Sequence, residues 1–166
     1  MSLSARFNLS LRAELTGSGD LGTPTAPVVL EQQILLASGT GASQADKIFA
    51  DNRSLAASAT EDLDLAGGAL LDPLGAAFSP AKIKGVIIKA AAANPGALTF
   101  GGDLNAVPLF GATNDVISIP AGGEFSLIWP GTGVTVTAGT GDILQVAAAA
   151  TAGTYTYDIV ILGTSA

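Results

Sequence analysis

No stretch of this chain repeats its apolar residues at the spacing of an amphipathic helix, while turn chemistry interrupts it again and again. The breaks include Gly67-Gly68, Gly101-Gly102, Pro120-Ala-Gly-Gly123, Pro130-Gly131 and Gly139-Thr-Gly-Asp142. They recur at the spacing of roughly 8–12 residues that short antiparallel strands require. Between them apolar and polar residues alternate. Tyr155, Tyr157, Ile159 and Ile161 oppose Thr156, Asp158, Val160 and Leu162. Phe125, Leu127 and Trp129 oppose Glu124, Ser126 and Ile128. Period two, with β-branched and aromatic residues, specifies strands. The fold class expected is all-β: an antiparallel β-sandwich.

The first fifty residues read differently. Phe7, Leu9, Leu11 and Ala13 fall on one face of a strand, and Arg6, Asn8, Ser10, Arg12 and Glu14 on the other. A loop rich in Gly, Thr and Pro follows. Val28 to Ala37 is a second apolar run, either a strand or one short helix; a strand pairing back on the first is favoured. This divides the chain into an N-terminal arm or hairpin with its loop (1–50) and a sandwich domain (51–166). In the latter, strands are expected at Arg53–Ala59, Glu61–Leu65, Lys82–Ala91, Leu98–Phe100, Val107–Phe110, Val116–Ile119, Glu124–Trp129, Gly133–Ala138, Ile143–Ala149 and Thr154–Leu162. Ala45–Ala50 is ambiguous.

Composition removes whole classes of chemistry. Among 166 residues there is no Cys and no His. Disulfides and thiolate nucleophiles are therefore excluded, as are triads with a His base. Zinc, haem and copper lose their preferred ligands, so neither a metal nor a cofactor is expected. The 14 acidic residues outnumber the 7 basic ones, which argues against a nucleic-acid footprint. From Ala90 onward there is no Lys or Arg, against Asp103, Asp115, Glu124, Asp142 and Asp158. So weakly charged a surface suggests coverage by neighbouring subunits. No run reaches the roughly 20 apolar residues of a membrane span, and no apolar run follows Arg6 as a secretory signal would demand. High apolar content here comes from 30 Ala, not from a span.

Few motifs rise above this background. Gly17-Ser-Gly19-Asp-Leu-Gly22 matches a dinucleotide fingerprint, but Thr23-Pro24-Thr25-Ala26-Pro27 cannot start the helix that must follow, so a loop is expected. Glu61, Asp62 and Asp64 are the densest carboxylate cluster. They read as a solvated rim before an ion site, because the spacing fits no EF-hand loop. Lys82, Lys84 and Lys89 share one strand, with Arg53 upstream. They form either an acid-seeking patch for a partner or a lysine-guarded sheet edge. Asn8-Leu-Ser10 and Asn52-Arg-Ser54 fit the glycosylation triplet by chance.

Several phrases carry a resemblance. Arg53-Ser-Leu-Ala-Ala-Ser-Ala-Thr-Glu-Asp-Leu-Asp-Leu-Ala-Gly67 runs on to Leu71-Asp-Pro-Leu-Gly75 and then to Ala81-Lys-Ile-Lys-Gly-Val-Ile-Ile-Lys89. Later come Ile119-Pro-Ala-Gly-Gly-Glu-Phe125, Val136-Thr-Ala-Gly-Thr140 and Tyr157-Asp-Ile-Val-Ile161. From about Gly39 to the end, the chain resembles small virion structural proteins of tailed bacteriophages, of the capsid decoration or cement type. The resemblance implies a sandwich that is jelly-roll-like, sits on the outer capsid surface and clamps neighbouring capsomers. It implies the major capsid protein as partner, self-association as homodimer or homotrimer, synthesis in the host cytoplasm, and no enzymatic activity, nucleic-acid partner or membrane partner.

The expected function is thus a non-enzymatic virion protein that stabilises the capsid. The expected subunit or capsid contacts are Arg6, Arg12, Arg53, Lys82, Lys84 and Lys89. One alternative is a tail-associated or receptor-binding virion protein. Another is a carbohydrate-binding β-sandwich, against which the single Trp and the scattered acids weigh.

Overall fold

The structure, a computed structural model, describes residues 2–112 and 114–166. Among them there is no helix. Twelve strands follow in order: β1 Ala5–Thr16, β2 Thr25–Ser38, β3 Gln44–Ala45, β4 Lys47–Ala56, β5 Thr60–Asp64 and β6 Lys82–Ala90. Then come β7 Leu98–Gly101, β8 Val116–Ile119, β9 Glu124–Ile128, β10 Val134–Thr135, β11 Ile143–Ala148 and β12 Thr154–Thr164.

Two antiparallel sheets enclose one core in a sandwich-like arrangement. The first is ordered β4-β12-β6, with β9 and β10 laid end to end along the far edge of β6. The second is ordered β5-β11-β7-β8. A third sheet joins the hairpin β1–β2 to the short β3, which runs parallel to the end of β2.

The alternation in β12 decides where the core lies. Tyr155, Tyr157, Ile159 and Ile161 all point inward and are 1% exposed or less. They meet Leu63, Leu98, Phe100, Leu144 and Val146 of the second sheet in one continuous cluster. Each such side chain contributes about 1.5–3 kcal/mol by leaving water. Phe100, Phe110 and Phe125 pack edge to face or tilted, with centroids 5.7–6.3 Å apart. Phe49, Phe100, Phe125, Tyr155 and Tyr157 thus anchor the core from four strands, and Phe78, Phe110 and Trp129 from the connections between strands.

Three details depart from the sequence reading. Val107–Phe110 forms no strand: it lies in the connection between β7 and β8, where the Val107 amide donates to Ile143 and the Leu109 amide to Val107. The expected boundary between residues 50 and 51 falls inside β4, which is a full member of the first sheet. Most consequential, β6 carries a bulge. Leu162 pairs Gly85 while Gly163 pairs Ile83, so Lys84 is the extra residue between them. Bulges break the simple in-out alternation, and Lys84 is only 1% exposed.

Candidate functional site

The outer face of the first sheet is graded by row. Ile48, Leu162, Gly85 and Ile128 lie side by side across four strands and form an apolar row. The next row is Ala50, Val160, Ile87 and Ser126. The third is polar: Asn52, Asp158, Lys89 and Glu124. The hairpin is rooted on the apolar row. Leu36, Ala45 and Leu162 are buried there, with Leu3, Ala5, Phe7, Ile34 and Ile48 packed around them.

Gly85 makes this seat possible. A Cβ at that position would stand 3.2 Å from the tip of the Phe7 ring. Gly85→Leu should therefore lift Phe7 and loosen the root, at about 1–3 kcal/mol. The expected result is cleavage by trypsin after Arg6 that is several-fold faster than in the native chain. An unchanged rate would show that the ring does not hold the root.

Beyond the root the hairpin leaves the body. Every residue from Asn8 to Gln33 is exposed. Its two faces differ sharply. On the polar face, Arg12 donates through Nε to Glu31 at 3.1 Å, and Gln33 donates to Asn8 at 2.9 Å. The other face carries Leu9, Leu11, Ala13 and Leu15, opposite Gln32, Leu30, Val28 and Ala26 respectively. Its Leu and Val side chains are between 51% and 74% exposed. This face continues from the half-buried Phe7 and Ile34, with Gln32 its one polar residue. Where hairpin and sheet diverge lies a cleft of about 490 Å³, walled by Phe7, Leu9 and Ile34 on one side and Ile87, Leu127 and Ile128 on the other. The Gly17–Gly22 motif is the hairpin tip, closed by Gly17 N–H donating to Pro24 and Gly19 N–H to Gly22, and a strand follows it.

A second feature closes one flank of the sandwich. Arg53 of β4 and Glu61 of β5 both lie on the inner faces of their strands. Arg53 donates through Nε to Glu61 at 2.8 Å and through Nη2 to the same oxygen. Its Nη1 donates to Asp51 at 2.7 Å, and Tyr157 donates to the other Glu61 oxygen at 2.7 Å. The hydrogen bond from Arg53 holds the Glu61 carboxyl below the usual carboxylate range. The same bond holds the guanidinium above its ordinary value. Burial first, and then the bond to Glu61, push the Tyr157 phenol up.

The candidate residues scatter. Arg12 is paired on the hairpin and Arg53 within the sandwich flank. Lys84 lies inside, where its ammonium donates to the carbonyls of Gly41, at 3.1 Å, and Gly131. Burial, with the charge of Lys82 nearby, lowers its pKa. It is thus withdrawn from any surface patch with Lys82 and Lys89. Nor does β6 form a sheet edge for lysines to guard, since it has neighbours on both sides. Among the described residues, Arg6, Lys82 and Lys89 have no carboxylate within 4 Å.

The carboxylate cluster is likewise divided. Glu61 joins Arg53, Asp62 accepts from Gln145 at 2.8 Å, and Asp64 accepts from the Ala66 and Gly67 amides. No three metal-ligating side chains converge among the described residues. The element that sequence reasoning underrated is the hairpin face itself, whose alternation is plain from residue 7 to residue 15.

No protein-family model matches the chain. No curated protein matches it either.

Proposed function

We propose that this chain is a non-enzymatic structural protein of a tailed-phage virion that decorates the capsid and stabilises it by bridging neighbouring capsomers. The observation that carries the reading is the hairpin. Twenty-six consecutive exposed residues, with one apolar face, contribute little to folding the body. A two-stranded ribbon is marginal by itself, so such an arm has a use only within an assembly.

The strand order supports the reading. Counting β9 and β10 as one interrupted strand gives eight strands from β4 to β12. Renumbered from one, they run 1-8-3-6 in one sheet and 2-7-4-5 in the other, the order of a jelly roll. That architecture recurs in capsid proteins but also in lectins and cupins, so the fold alone does not choose among them. The resemblance from Gly39 onward to decoration proteins favours the capsid, with the major capsid protein as partner. Lys82 and Lys89, free of ion pairs among the described residues, would meet acidic groups of that shell.

The mechanism is mass action: a protein that binds the assembled shell and not its free subunits stabilises the shell, by about 2.7 kcal/mol per site at a hundredfold excess over Kd. The test is to add purified protein to heads lacking it and heat both. The temperature of DNA release should rise. An unchanged temperature sinks the reading, and labelled protein found at the tail end would move it to the tail.

A further inference from the structure

We infer that the apolar face of the hairpin is the docking surface for a second copy of this chain, the two hairpins stacking face to face about a two-fold axis near Ala13 and Val28. This deepens the reading above, on which it rests, by naming the surface through which copies meet.

Area is the first argument. A compact monomer of 16.3 kDa exposes about 7,500 Å². This chain exposes 8810 Å², roughly 1,300 Å² more. A standard dimer interface takes about 800 Å² from each partner. About half of the excess, roughly 650 Å², belongs to one face of the hairpin, so two such faces together bury roughly 1,300 Å², at the lower end of stable interfaces.

Chemistry is the second. The charged side chains of β1 and β2, Arg6, Arg12, Glu14 and Glu31, all lie on the polar face, where Arg12 pairs with Glu31. The exposed apolar face bears no charge from Leu9 to Leu15 or from Ala26 to Leu30. It offers nothing for a charged partner to read, but it fits its own copy. About an axis near Ala13 and Val28, the large Leu11–Leu30 pair of one chain lies over the smaller Leu15–Ala26 pair of the other. A two-fold interface of this kind is self-complementary. Two stacked ribbons also form the smallest four-stranded sandwich, which repairs the marginal stability of each.

Charge is the third. The copies each carry a net charge of -7 and repel. The 12 residues of β1 extend about 40 Å. Pairing along the outer half of the hairpins keeps the acidic bodies well beyond the Debye length of about 8 Å. It also leaves them separated, as a bridge between two capsomers requires.

The experiment is the solution mass of the full chain by sedimentation equilibrium, with Leu11→Glu and Leu30→Glu as variants. The native chain should have twice the mass of one copy. Each variant should dissociate at about 100-fold higher concentration, because it buries an unpaired charge, with unchanged circular dichroism. Since the chain has no Cys, a unique thiol can be placed at will. Ala13→Cys should be joined to its mate in the second copy by a short bis-maleimide cross-linker, since stacked sheets lie about 10 Å apart, whereas Ser10→Cys, on the polar face, should not. A monomeric native chain, a trimer, or a dimer indifferent to both Glu variants overturns the inference. A monomer that still raises the DNA-release temperature overturns the inference alone; a dimer that leaves that temperature unchanged overturns the capsid reading alone.

Discussion

Glu61→Ala should lower the unfolding free energy by about 3 kcal/mol, which corresponds to a fall in Tm of roughly 6–12 °C for a chain of this length. Two side chains lose a partner at once. Arg53 loses both hydrogen bonds to the carboxylate, and Tyr157, which is 1% exposed, is left with an unmatched hydroxyl. Partial solvent access at the side chains of Arg53 and Glu61, 24% and 22%, keeps the loss below that of a fully buried pair. The acid dependence follows from sign. The folded Glu61 carboxyl lies below its ordinary value of 4.5. Its contribution is therefore fully present above pH 4.5 and disappears as the pH falls through the folded value. Comparing the native chain with Glu61→Gln by chemical denaturation should give a constant difference from pH 8 to about 5.5 that shrinks below about 4.5. A difference still intact at pH 3 would mean that the carboxylate charge is not what matters.

Lys84→Ala should cost about 3 kcal/mol, by loss of two charge-assisted hydrogen bonds and by the cavity left where the stem was. The ammonium ties the loop at Gly41 to the loop at Gly131, and the stem packs against the backbone of Gly133. Lys84→Met keeps the stem and should cost only about 1 kcal/mol. Both variants should free the loops. The Ser43 amide, which donates to Pro130 at 2.6 Å, and the Ala37 amide, which donates to Ser43 at 2.9 Å, report on that tie. Their hydrogen exchange should accelerate in both variants while exchange in β12 follows global stability. Equal protection of Ser43 in the native chain and Lys84→Met would show that the loops are held without the ammonium.

The sequence made the strands legible wherever one face is buried and alternation is uninterrupted. β12 is the clearest case, because Tyr155, Tyr157, Ile159 and Ile161 face the core while Thr156, Asp158 and Val160 face away. β1 was equally plain, and pairing of β2 back on it followed from the turn residues between them. Lys84 was misplaced for a physical reason. Alternation alone puts it on the face of Lys82, but one extra residue opposite Leu162–Gly163 resets the register, and the isolated Gly85 beside it is the only local trace of that bulge. Val107–Phe110 misled in the opposite way: short apolar runs also occur where an irregular connection packs against a core. The Arg53–Glu61–Tyr157 constellation joins three strands, so it was hidden from any reading of one segment at a time. Its trace was an Arg in phase with Phe49 and Leu55 on an otherwise inward face.

That inward Arg has a consequence for how copies behave when crowded. β4 and β5 are the terminal strands of their sheets on the same flank, with backbone groups that a foreign strand could pair. Extending either sheet there would trap Arg53, Asp51 and Glu61 in a lengthened core, cut off from water. Charges turned inward on a terminal strand make such growth unfavourable. Open-ended stacking of sandwiches into a filament is therefore blocked along this flank, and association is steered toward contacts that close on themselves.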